Sequence, residues 1–146
     1  MSRLPNLPCL CATLRRTTRA LTQLYDDAIR QQGLSLTQLT ILQVFSRAGE
    51  ISQGQLAEIL VMDSTTLTRT LKLMTKQGWI SERRGADRRE RLLRMSKSGE
   101  AKLTRATPAW DKLQSRLRHQ LGDQNWKSLM QFNNQLTDLI TEGETL

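Results

Sequence analysis

Leu10, Leu14, Thr17, Leu21, Leu24, Ala28 and Ile29 fall on or near one stripe of a helical wheel, which predicts a long first helix over residues 10–32. Gln32-Gly33 ends it. Ser35 is placed to cap a second helix that turns Leu39, Leu42, Val44 and Phe45 inward before Gly49 closes it. Glu50-Ile51-Ser52 has the length of a single bridging strand, after which Ser52 caps a third helix over residues 53–60, expected to bury Leu56, Ile59 and Leu60. Val61-Met62 is the turn that follows. Asp63 starts a fourth helix, its carboxylate able to accept from the free amides of the first turn. On that helix Leu67, Leu71 and Met74 gather on one side of the wheel, while Thr65, Thr68, Arg69, Lys72 and Lys76 gather on the other.

The period changes after Gly78. Residues 79–83 and 90–95 are strand-length runs around Arg84-Gly85-Ala86-Asp87-Arg88-Arg89, a turn-forming tip, and predict a hairpin. Helical spacing returns with Ser96 as the cap of a fifth helix, Glu100 sitting somewhat past the ideal capping-box position. Its apolar positions are Ala101, Leu103, Ala106, Trp110, Leu113 and Leu117, and Pro108 is expected to bend it. Leu121-Gly122-Asp123 ends that helix. Asp123 is expected to cap a sixth, whose Trp126, Leu129, Met130, Phe132, Leu136, Leu139 and Ile140 are too many for a lone surface helix. The first, fifth and sixth helices carry more apolar surface than a small winged domain covers, which points to packing against a second copy. The expected fold is mainly α with a small β-hairpin wing. A winged helix-turn-helix DNA-binding region over 34–99 joins a helical dimerisation region built from the N- and C-terminal helices, 1–33 and 100–146, in one 146-residue domain.

Charge selects among functions. The formal net charge is +8, and a basic globular domain most often meets a polyanion, with nucleic acid ahead of an anionic membrane. Residues 83–97 hold seven basic side chains against two acidic, so most of the net charge sits in the hairpin. Hydroxyl and basic groups on the fourth helix are the types that bond phosphates and base edges in a major groove, although a solvated helix face accounts for that helix equally well. The hairpin tips the balance. A protruding basic loop beside such a helix reaches the flanking backbone or a narrow minor groove, where arginine is attracted. The candidate DNA contacts are Ser64, Thr65, Thr66, Thr68, Arg69 and Lys72 on the helix and Arg84, Arg88 and Arg89 on the wing. A dimer would set two such helices one helical turn apart on a palindromic duplex.

No apolar run nears the roughly 18 to 20 residues that span a bilayer, and residues 1–12 do not read as a signal peptide, so a cytoplasmic protein without a membrane partner is expected. His119, Cys9 and Cys11 are too scattered for a metal site. No Gly-rich phosphate loop or catalytic constellation appears, so neither a cofactor nor an enzyme activity is expected. Trp79, Trp110 and Trp126 sit among apolar neighbours as core or interface anchors, and 4% aromatic content argues against a single-strand binder. A basic helical adaptor for an acidic protein partner and a thiol peroxidase are the readings from other classes.

Asp87-Arg88-Arg89-Glu90-Arg91-Leu92-Leu93-Arg94-Met95-Ser96-Lys97-Ser98-Gly99 resembles the wing signature of the MarR family of bacterial transcription regulators: Asp-Arg-Arg, a Leu-rich strand, then Thr or Ser and a Gly. Leu67-Thr68-Arg69-Thr70-Leu71 and Leu73-Met74-Thr75-Lys76-Gln77-Gly78-Trp79-Ile80 resemble the family's recognition helix and its exit, and Gly33-Leu34-Ser35-Leu36-Thr37-Gln38 resembles the start of its second helix. The resemblance implies an obligate dimer joined through its terminal helices. It also implies that Arg88 or Arg89 enters the minor groove while Asp87 orients an arginine. Family members usually repress, often releasing DNA when a small, commonly phenolic ligand binds between the two regions, and some respond to oxidants through cysteine. In members that sense hydroperoxides a reactive cysteine early in the first helix lies near two tyrosines. Cys11, with Cys9 beside it, and Tyr25 match that pattern, whereas Leu36 stands where the second tyrosine is expected. Arg15 and Arg16 one turn on supply the positive charge a thiolate needs. The alternative is a small apolar cysteine at the dimer interface.

Overall fold

Short polar side chains set where each helix between residues 34 and 99 begins. In the computed structural model, which describes residues 5–143, α1 (Leu10–Ile29) runs into a single 3₁₀ turn (Arg30–Gln32) that Gly33 closes at φ 71°. The outermost parts of the expected 1–33 and 100–146 segments, residues 1–4 and 144–146, lie outside the described residues. Ser35 caps α2 (Leu36–Ala48): its Oγ accepts from the Gln38 N–H at 3.2 Å, and Gln38 Oε1 accepts from the Ser35 N–H at 2.9 Å. Ser52 and Gln55 repeat the reciprocal pair at α3 (Gln53–Leu60), with 3.1 and 2.9 Å. Each pair satisfies two orphan amides that a helix start leaves open. Asp63 starts α4 (Ser64–Lys76), its Oδ1 accepting from the Thr66 N–H at 2.8 Å. Between α3 and α4 the chain turns at Val61, a β-branched residue held in the left-handed region at φ 47°.

These starts bring the apolar stripes together. Leu67, Leu71 and Met74 of α4, none more than 5% exposed, join Leu39, Ile41, Leu42 and Phe45 of α2, Leu56 of α3, and Ile29, Leu34 and Ala106 in one core. Full burial of one such large side chain stabilises by roughly 1.5–3 kcal/mol, so α4 alone anchors itself with several. Ile59, expected inside, is 54% exposed, because α3 spans only two turns and presents Leu56 to the core.

A three-stranded antiparallel sheet flanks this core. β1 (Ile51–Ser52), β2 (Ile80–Arg84) and β3 (Arg91–Met95) stand in the order β1-β3-β2, with Ile51 opposite Leu93 and Ile80 opposite Met95. Leu93, Ile80 and Ile51 point into the core, so the sheet is pinned at its base while its β2–β3 tip projects. Trp79, expected as the first strand residue, precedes β2 and is buried. Lys102 Nζ lies 5.1 Å above its ring.

The wing's two ends meet at one node. Ser96 N–H donates to the Trp79 carbonyl at 2.9 Å, and Ser96 Oγ donates to the Gly78 carbonyl at 2.5 Å while accepting from the Gly99 N–H at 3.0 Å. That last bond caps α5 (Lys97–Leu121), which holds Pro108 inside it. A β-carbon on Gly99 would run into the Trp79 carbonyl oxygen and crowd Met95 Cγ at 2.8 Å.

The chain forms two compact units, Met1–Trp110 and Asp111–Leu146. In the second, α6 (Asp123–Thr141) has Gly122 at its cap position, at φ 79°, in place of the expected Asp123. Asp123 is the first helical residue and accepts from Arg118 Nε at 2.6 Å. No residue of α6 is buried, and Leu129, Met130, Phe132 and Ile140 are each at least 46% exposed.

Gly99→Ala is expected to lower stability by about 1–3 kcal/mol, the usual result of forcing an added carbon into packed backbone. Chemical denaturation checks it, and a change within error would show that the node relaxes freely.

Candidate nucleic-acid interface

Since Leu67, Leu71 and Met74 fix the buried side of α4, the 3.6-residue period fixes what the opposite side presents. Ser64, Thr65, Thr66, Arg69 and Lys72 are exposed there, and Ser64, Thr65, Thr68, Arg69 and Lys72 together line a shallow concavity of about 390 Å³. Thr68 is half-buried, and its hydroxyl accepts from Gln53 Nε2 of α3 at 2.9 Å. Asp63, at the start of this face, has its carboxyl held below the usual range by the hydroxyl and backbone N–H of Thr66.

The wing divides the sequence's block of arginines into two kinds. Arg83 is clamped by Glu50: its Nε donates to Oε2 at 2.9 Å and its Nη2 to Oε1 at 2.5 Å. Arg91 pairs with Glu82 at 3.3 Å, and Arg94 Nε donates to Ser81 Oγ at 3.3 Å. These three brace the hairpin. Arg84, Arg88 and Arg89 are exposed and form no ion pair among the described residues. Arg84 stands opposite Arg91 in the ladder, and like charges facing across strands are unfavourable until an anion meets them. Asp87 works on the tip backbone: its Oδ1 accepts from the Arg89 N–H at 3.0 Å, and its carbonyl accepts from the Glu90 N–H at 2.9 Å. It thus shapes the turn that carries Arg88 and Arg89 and, among the described residues, holds no arginine side chain.

Glu50 and Gln53 escaped the sequence reading. A capping pattern marked Ser52 and Gln55, but nothing local shows that Glu50 reaches a residue 33 positions on, or that Gln53 reaches Thr68 across the turn.

The cysteines lie elsewhere. Cys9 precedes α1, Cys11 is in its first turn, and both are exposed. Tyr25 lies nearly four turns along the same helix, about 20 Å away at 1.5 Å per residue, so the helix holds it far from Cys11. Tyr25 is buried, which raises its phenol above the ordinary value. Among the described residues no group of three His, Cys, Asp or Glu side chains is placed to hold a metal, and no helix is long and apolar enough to cross a membrane.

A second hollow of about 640 Å³ opens behind the wing. Phe45, Met95 and Leu103 give it an apolar floor, and Glu50, Arg94, Glu100 and Thr104 supply polar walls. It touches both the wing's clamp and the first turns of α5.

The sequence model of the MarR family matches residues 32–90. Over 89 residues the chain is 27% identical to an uncharacterised HTH-type transcriptional regulator, YwoH of Bacillus subtilis, a match covering 61% of this chain and 65% of that protein's length. Among solved structures, the transcriptional regulator MosR of M. tuberculosis in complex with DNA is 31% identical, with a TM-score of 0.84 over 94% of this chain and 99% of that one. A mutant MarR of E. coli complexed with operator DNA shares the fold at 19% identity, with a TM-score of 0.78 over 87% of this chain and 92% of that one.

The Arg83 guanidinium holds the Glu50 carboxyl below the usual carboxylate range, and Glu50 in turn raises Arg83. Because the folded value is the depressed one, the clamp's stabilisation is complete above the ordinary carboxylate pKa and is lost as pH falls through the lowered value. Glu50→Ala is therefore expected to reduce amide-exchange protection in the wing at neutral pH, with little change in melting temperature because the pair is exposed. Wild-type protein should lose the same protection only on acidification. Equal wing protection in both proteins at neutral pH would show that the clamp does not hold the hairpin.

Proposed function

The chain belongs to the MarR family and is a DNA-binding transcription regulator, not an enzyme; from that premise we propose that it acts as a homodimer on a palindromic operator, as a repressor that a small ligand releases. The observation that carries the DNA-contact assignment is the opposition on α4: three buried apolar residues on one side, and on the other a concavity of hydroxyl, guanidinium and ammonium groups. Arg69 and Lys72, with Thr65 and Thr68, contact base edges and phosphates of the major groove, supported by Ser64 and Thr66 at the helix start. Arg84, Arg88 and Arg89 contact the backbone and minor groove beside it. The exposed apolar residues of α6, and Leu10, Leu21 and Leu24 of α1, are surface for a second copy, and they support assigning 1–33 and 100–146 to dimerisation.

The hollow behind the wing is the seat we assign to the effector. Its aromatic and aliphatic floor suits a ring, and its hydroxyl and guanidinium suit the polar substituents of a phenolic-type ligand. An occupant there pushes on the residues that brace the hairpin, so binding it and binding DNA become competing demands on one wing position.

Arg88→Ala and Arg89→Ala are each expected to weaken binding of a mapped operator duplex and to lower the slope of log affinity against log salt by about 0.9. Arg69→Ala should weaken binding and also relax base preference. Fluorescence anisotropy across a salt series reads both, and unchanged binding in all three variants would remove the assignment. Filling the hollow with Leu103→Trp should abolish release by phenolic ligands in the same assay, and release at wild-type concentrations would place the effector elsewhere.

A further inference from the structure

We propose that Gln53 sets the hydrogen-bonding polarity with which Thr68 reads a base edge. The inference rests on the reading that α4 enters the major groove, and it adds to that reading a residue from a different helix. Gln53 is the first residue of α3, and its Nε2 donates to Thr68 Oγ1 at 2.9 Å. A hydroxyl offers one donor and two acceptor lone pairs. With a lone pair of Thr68 taken by the amide, its hydrogen is left to point outward into the concavity it shares with Arg69 and Lys72.

Several other helical threonines make the contrast. Thr70, on the same helix, donates to the Thr66 carbonyl at 3.1 Å, and Thr40, Thr104 and Thr107 donate likewise to the carbonyl four residues back. That habit uses up the donor inside the helix. Among the described residues Thr68 makes no such bond, and Gln53 occupies its acceptor side instead. Thr68 is thereby presented as a donor. In the major groove it suits guanine N7 or O6, adenine N7 or thymine O4, and it disfavours the amino groups of cytosine and adenine. Gln53 is a positioning residue, acting on the base through Thr68.

The experiment measures relative affinities for an operator library with each half-site position varied, using the full-length protein. Thr68→Val keeps the shape, removes the hydroxyl and identifies the base pair concerned. Gln53→Met removes the amide without adding charge, and it should flatten preference at that same position by a factor of about 3 to 10, the size of one hydrogen bond. Gln53→Glu places a pure acceptor against Thr68, turns its hydrogen inward, and should shift preference there toward a pair that offers an amino group. Combining Gln53→Met with Thr68→Val should leave preference at that position no different from Thr68→Val alone. A uniform loss of affinity across all bases, with the wild-type preference kept, would overturn the proposal and reduce Gln53 to a structural or phosphate contact. If Gln53→Met fails to fold, Gln53→Glu together with Thr68→Val decides the matter alone. Arg69→Ala separates the two levels. Should it relax preference while the Gln53 variants move nothing, the groove reading stands and this inference fails; should the wild-type protein show no base preference anywhere, the groove reading itself fails.

Discussion

Everything on the DNA side depends on how α4 is seated. Leu67, Leu71 and Met74 are spaced so that all three enter the core at once, and rotating the helix by one residue, about 100°, would turn all three away from it and bring in Thr68 and Lys72, or Thr66 and Thr70. Hydrophobic burial thus fixes an angle as well as contributing stability. The angle matters because hydrogen bonds to base edges tolerate little misplacement, whereas the core that enforces it is made of non-directional contacts among ordinary aliphatic side chains. Asp63 sets where the helix starts, and Gln53 ties its middle to α3.

The wing depends on a second constraint, a short polar node. Gly78, Trp79, Ser96 and Gly99 bring the exit of α4, both ends of the hairpin and the start of α5 to one place, through three hydrogen bonds and a contact that only glycine permits. Further out, the Glu50–Arg83 clamp holds the hairpin from the side. The start of α5 and the wing are thus joined directly at this node. The hollow lined by Phe45, Glu50, Arg94, Met95 and Leu103 adjoins the same parts, which is why we propose it as the effector's seat.

Most of the fold was legible in the residues because its boundaries are made by local chemistry. Ser35, Ser52, Asp63 and Ser96 announce helix starts that bond within three residues, and the shift from helical to alternating period marks the hairpin. The misses have physical causes. Ile59 follows the helical pattern of α3, but a two-turn helix seats only Leu56 fully. Asp123 resembles a cap, yet Gly122 takes that position with a positive φ of 79° and Asp123 turns to Arg118. The site was half legible. Charge counting found the wing, and Arg84, Arg88 and Arg89 were its candidate contacts, but what Arg83 and Arg91 do instead could not be read, because ion pairing with Glu50 and Glu82 is a property of the folded sheet. Gln53 was invisible for the same reason: its partner lies 15 residues on, beyond a turn.

On the proposed reading, α4 of each of two copies occupies a major groove. This is tested most directly by methylation interference on a mapped operator duplex, which blocks guanine N7 in the major groove and adenine N3 in the minor groove. Two clusters of guanine interference are expected, related by twofold symmetry and about one helical turn, roughly 10 base pairs, apart, with adenine interference where the wings reach the minor groove. A single asymmetric cluster, or interference confined to the minor groove, would contradict it.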